Sequence, residues 1–97
     1  MYTATMLYRF LPGKFEDACR LWEEEIFNHA KGQPGFVRMQ LLTAPPVAMA
    51  IGTWKSSSYA RRFMGTGVFK ELMSKLDAML TEAPEQAVWD LRHFAEG

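Results

Sequence analysis

The chain has 97 residues, 48% hydrophobic and 23% charged, with eleven Lys and Arg balancing eleven Asp and Glu. That length supplies one modest core and is too short for two, so residues 1–97 are expected to form a single domain. The charge balance leaves no positive field to draw in phosphate backbones, and no apolar run approaches the roughly 20 residues of a membrane span, so neither nucleic acid nor a membrane is an expected partner. Met1 to Met6 lack the basic flank, apolar stretch and cleavage site of a secretory signal. The single cysteine, Cys19, has no internal disulfide partner. The cytoplasm is the expected location.

Tyr2 to Phe10 alternates, with Tyr2, Ala4, Met6, Tyr8 and Phe10 on one side and Thr3, Thr5, Leu7 and Arg9 on the other, which predicts a strand. Pro12-Gly13 predicts a turn. From Phe15 the apolar spacing changes to Ala18/Cys19, Trp22, Ile26 and Ala30, one face of a helix that Lys31-Gly32 and Pro34-Gly35 bring to an end. Phe36 to Thr43 and Val47 to Trp54 read as strands, and the short Ala44-Pro45-Pro46 link makes them an antiparallel hairpin. Ser56-Ser57-Ser58 offers hydroxyls to the free amides of a helix carrying Tyr59, Ala60, Phe63 and Met64. After Gly65-Thr66-Gly67 a further helix sets Phe69, Leu72/Met73, Leu76 and Met79/Leu80 on one face, and Thr81 to Pro84 stops it. Gln86 to Phe94 predicts the last strand.

The order βαββαβ is that of an α+β, ferredoxin-like fold: an antiparallel sheet with the first and third strands central and the helices on one face. Val47 to Trp54 is apolar on both sides, and helices on one face cover only one of them. A second copy is the simplest cover for the other face, so a homodimer burying at least roughly 1,200–2,000 Å² is expected.

Several side chains are candidates for chemistry. Tyr8 shares a strand face with Met6, where its hydroxyl either meets a ligand oxygen or bonds a backbone carbonyl. The methionines, among them Met6 and Met73, either line an adaptable pocket or serve as core. Arg38, placed by alternation with Phe36 and Gln40, is a pocket cation suited to a phenolate. Arg9 or Arg92 with Asp90 reads as an ion pair of a dimer interface. Cys19 on the apolar stripe reads as a small hydrophobe with a raised pKa. His29 and His93 belong to no metal-spaced cluster, and no metal is expected. Glu23-Glu24-Glu25 spreads around a helix and reads as a solvated face.

Leu11-Pro12-Gly13-Lys14, Pro34-Gly35-Phe36, Thr53-Trp54-Lys55-Ser56 and Val68-Phe69-Lys70 together resemble the antibiotic biosynthesis monooxygenase family of dimeric α+β barrels. The resemblance spans nearly the whole chain. It implies oxygen insertion into polycyclic phenols or hydroquinones without metal or flavin, the substrate supplying the electron, in a dry aromatic-lined cavity. Trp54 matches the tryptophan of the polyketide-oxidising branch, whose asparagine four positions earlier falls here on Ala50. In the haem-degrading branch the axial histidine aligns with Met73, an asparagine with Met6 and a tryptophan with Phe63, so haem degradation is disfavoured. The resemblance thus implies a cofactor-independent monooxygenase for a small aromatic, hydroquinone-like substrate. The candidate substrate-binding residues are Trp54, Tyr8, Met6, Arg38, Phe63 and Met73. The alternative is a non-catalytic module of the same fold that binds a hydrophobic ligand or dimerises.

Overall fold

A computed structural model describes residues 1–97. Its elements are β1 (Tyr2–Arg9), α1 (Phe15–Trp22), β2 (Phe36–Ala44), β3 (Val47–Trp54), α2 (Ser57–Met64), α3 (Val68–Leu76) and β4 (Glu85–Asp90). The strands form one antiparallel sheet in the order β2-β3-β1-β4, with β1 and β3 central and the helices on one face. This is the expected ferredoxin-like α+β fold. No helix is long and apolar enough to cross a membrane.

On the helix-covered face β3 presents Ala48, Ala50, Gly52 and Trp54, paired across to Tyr8, Met6, Ala4 and Tyr2 of β1. The helices close this face with Ala18, Trp22, Ile26 and Ala30, then Ala60 and Phe63, then Leu72 and Leu76, all buried. The first four of these are spaced by four residues, a step that overshoots one α-helical turn by about 40°. After Trp22 the helix widens into a π turn (Glu23–Phe27) before its last turn (Asn28–Ala30), which takes up that drift and holds the stripe on the sheet. Gly35, at φ +75°, sits in the left-handed region and so close to the Tyr59 ring that any Cβ would collide with it, which explains the Pro34-Gly35-Phe36 turn.

Four local expectations are corrected. β4 ends at Asp90 rather than Phe94, because Asp90 pairs with Tyr2 and Leu91 N–H donates to Met1, which exhausts β1. The last helix gives way at Asp77–Met79 to a 3-10 turn, and Leu80 instead bridges Phe10. The Ser56 hydroxyl bonds the Ser58 hydroxyl at 2.8 Å rather than capping an amide. Glu25 is half-buried and pairs with Lys75 of α3 at 2.7 Å, so one of the three consecutive glutamates ties two helices together.

The other sheet face carries no helix. Its rows run Leu42, Met49, Leu7, Glu85; then Gln40, Ile51, Thr5, Ala87; then Arg38, Thr53, Thr3, Trp89. Leu42 and Trp89, on the two edge strands, are 50% and 57% exposed. At one end of this face Thr3 and Thr53 hydroxyls bond each other, buried, and Trp89 Nε1 donates to Thr5.

Candidate functional site

Between the sheet and the helices lies a cavity of about 110 Å³. Its floor is made by the smallest residues of the sheet, Ala4, Ala50 and Gly52, which leave the space that larger strand residues would fill. Trp22 and Ile26 enter from the two sides of the π-turn junction, Phe63 from α2 and Phe69 from α3. Trp54 forms one wall, its ring 5.3 Å from Phe63 and edge-on to Phe36 at 5.7 Å. Arg61, Met64 and Gln86 are exposed lining residues, so the mouth lies between α2 and β4.

Four of the six side chains singled out in the sequence come together here: Trp54, Tyr8, Met6 and Phe63. Tyr8 is the chemically informative one. It is 1% exposed, it stacks on Phe10 at 5.6 Å, and its hydroxyl has no hydrogen-bond partner. The backbone carbonyl that would have made it purely structural is absent. Burial drives its pKa far above the ordinary 10, slightly relieved by the nearby Trp22 indole, which lacks the geometry of a true hydrogen bond. Tyr8 is therefore a protonated donor, aimed at nothing in the protein itself.

Arg38 and Met73 are elsewhere. A bulge at Val37 puts Phe36 opposite Trp54 but Arg38 opposite Thr53, so Arg38 and Gln40 turn to the open face while Phe36, Met39 and Leu41 face the helices. There the Arg38 guanidinium lies 4.1 Å from the Phe94 ring centre and pairs with Glu96, held by the chain end that crosses from β4 to β2. Plain alternation misses this because one inserted residue inverts the facing of everything before it. Met73 packs against the core one position round α3 from Leu72, and of that helix only Phe69 reaches the cavity. Arg9 pairs with Glu82 of its own chain at 3.2 Å, not with Asp90.

Trp22, Ile26, Phe69, Arg61 and the small-residue floor were not singled out in the sequence. The signal for the floor is the strict small/large alternation of Val47-Ala48-Met49-Ala50-Ile51-Gly52. The Cys19 thiol is half-buried, and burial followed by the Glu16 charge pushes its pKa up, so it remains protonated. His29 Nδ1 donates to the Glu25 carbonyl at 2.8 Å. No three His, Cys, Asp or Glu side chains converge as metal ligands.

No family model matches the chain, and no curated protein sequence does. Solved structures do match. A proposed antibiotic biosynthesis monooxygenase from Nitrosomonas europaea superposes with a TM-score of 0.86 at 12% identity, covering 96% of this chain and all of the other. Rv0793 from Mycobacterium tuberculosis gives 0.85 at 11% identity, with 98% of each chain covered. A monooxygenase from the ActVA-Orf6 gene of Streptomyces coelicolor, solved with the ligand nanaomycin D, gives 0.83 at 16% identity, covering 99% of this chain and 91% of the other. Identities this low carry the architecture alone. The chain has the α+β fold of the antibiotic biosynthesis monooxygenase structures.

Proposed function

We propose that the protein is a cofactor-independent monooxygenase acting on a small, single-ring, hydroquinone-like substrate. The observation that carries this reading is the cavity: apolar, aromatic-walled and open at a mouth, with the buried, unpartnered Tyr8 among its lining residues. The fold shared with antibiotic biosynthesis monooxygenase structures supports it as an analogy.

The residues define a division of labour. Trp54, Phe63 and Met6 grip the ring faces and edge and exclude water. Tyr8 donates to a ring oxygen and so favours its anionic form, which reduces oxygen more readily than the neutral phenol does. The substrate supplies every electron that dioxygen takes up, one pair as a ring carbon–hydrogen bond gives way to a carbon–oxygen bond and a second pair as the hydroquinone becomes a quinone. The product is a hydroxyquinone carrying one atom of the dioxygen, while the other atom leaves as water with two hydrogens from the substrate. No carboxylate, imidazole, amine or thiol lines the cavity, so the substrate proton passes to solvent through the mouth.

That same absence of an acid–base side chain favours a second reading, a binding module that holds an aromatic ligand without transforming it. Oxygen consumption separates the two. With monocyclic and naphthalene-type hydroquinones, the oxygenase reading expects saturable uptake above spontaneous autoxidation that is lost on heat denaturation. Ligand binding without uptake across the panel would leave the binding module.

The assembly in this reading is a homodimer joined through the open sheet face. Leu42, Met49, Leu7, Ile51 and Trp89 form an apolar surface that no helix of the same chain covers, bordered at the Arg38 row by the chain end, and a second copy supplies the matching surface about a two-fold axis. Sedimentation at micromolar concentration is expected to give about twice 11.1 kDa; a persistent monomer would remove the dimer.

A further inference from the structure

The cavity has two polar ends that its apolar walls leave unmatched. Away from the exposed residues Tyr8 lines the wall, and its hydroxyl is unpartnered and has almost no accessible surface, so a ligand meets it only as the wall gives slightly. At the mouth, Arg61 is exposed, forms no ion pair, and sits on a helix (Ser57–Met64) that contains Arg62 and no acidic residue. No Asp or Glu lines the cavity either, so no acidic lining residue offsets Arg61.

Size limits what bridges the two ends. About 110 Å³ is well below the roughly 150 Å³ known to hold a benzene ring in a closed cavity, so even a single ring is accommodated only with one end projecting through the mouth, and fused rings project further.

We propose that the site selects monocyclic aromatic acids carrying a ring oxygen: the ring lies between Trp54 and Met6, the ring oxygen accepts from Tyr8, and a carboxylate opposite it meets the Arg61 guanidinium. This rests on the cavity being a ligand site. It goes beyond that in assigning Arg61 as the residue that discriminates charged from neutral ligands. A planar guanidinium suits a carboxylate because it donates two parallel N–H bonds, a geometry that an ammonium or an amide does not reproduce.

The test is calorimetric titration of the whole chain at pH 7 with 4-hydroxybenzoate, its neutral amide, and benzoate, which lacks the hydroxyl. The native protein is expected to bind the hydroxy acid roughly three- to tenfold more tightly than the amide, an effect that shrinks with added salt. Arg61→Gln is expected to abolish that preference while leaving the amide affinity unchanged, with Arg61→Lys retaining part of it. Tyr8→Phe is expected to abolish the preference of about fivefold or more for 4-hydroxybenzoate over benzoate. Arg61 is exposed, so its replacement leaves the core intact, and unchanged thermal melting confirms this.

Equal affinity for acid and amide in the native protein overturns the proposal. So does an Arg61→Gln loss shared equally by both ligands, or failure of all three to bind. Selective acid binding without any oxygen uptake keeps this inference and removes the oxygenase; uptake with indifference to ligand charge does the reverse.

Discussion

The two faces of the sheet use the same strands in opposite ways. Toward the helices β3 shows Ala48, Ala50 and Gly52; away from them it shows Val47, Met49 and Ile51. Ordinary core logic would put the larger residues on the covered side, where burial is worth more. On β3 the covered side is hollowed before Trp54, although β1 sets Met6 and Tyr8 beside it, while the uncovered face keeps Leu42, Met49 and Trp89 at least 37% exposed. In the proposed reading this difference serves two tasks, space for a ligand on one face and apolar surface for a partner on the other.

Matched truncations on the two sides are the strongest way to break that comparison. Leu72→Ala, at a fully buried position on the helix side, is expected to cost about 2–5 kcal/mol of stability. Leu42→Ala on the open face is expected to cost about 0.5 kcal/mol or less in the dilute monomer, with the cost growing as concentration rises into the dimer range. Denaturant titration at two protein concentrations reads both. Independence of Leu42→Ala from concentration would mean the open face has no partner.

Met49→Glu acts on the same point by setting a carboxylate on each side of the proposed two-fold interface. Sedimentation equilibrium is expected to show the dimer weakened about a hundredfold or more, with the circular dichroism spectrum retained. On the covered face, Ala50→Leu fills the cavity floor. Its stability change is expected to stay within about 1.5 kcal/mol because it enters existing space, while calorimetric binding of ring ligands disappears.

A further effect concerns one oxygen atom. Tyr8→Phe removes an unpaired buried hydroxyl, so it is expected to stabilise the ligand-free protein by about 1 kcal/mol. It also alters the alkaline limb of the stability curve. Above the ordinary tyrosine value of 10 the unfolded chain releases this proton while the buried phenol keeps it, so the folded state binds more protons and native stability falls as pH rises. Tyr8→Phe is expected to flatten that part of the decline in urea titrations between pH 9 and 11. A variant that is less stable than the native protein would show that the hydroxyl has a structural partner.

The fold was readable because period and punctuation agreed along the chain: β1 alternates, α1 carries a stripe, and Pro45-Pro46 closes a hairpin whose register the structure keeps through Ala44 opposite Val47. The site was readable where it lies on unbroken strands, as Met6, Tyr8 and Trp54 do. It failed at Arg38, because the bulge at Val37 leaves no compositional mark in Phe36-Val37-Arg38 and still inverts the facing of what precedes it. It failed at Met73 because a one-residue step round a helix is within the width of an apolar stripe. Arg61 was invisible for another reason: an exposed arginine acquires meaning only when a cavity is seen to open beside it. The four-residue spacing Ala18, Trp22, Ile26, Ala30 did hold a usable sign of the π turn.

The central claim is that the small-residue floor exists to seat a ring for oxidation. Its most direct test is oxygen uptake with one monocyclic hydroquinone acid, comparing native protein and Ala50→Leu at equal folded concentration. Saturable uptake is expected of the native protein, and uptake at the autoxidation rate of Ala50→Leu. Equal uptake by the two, or none by the native protein, would contradict it.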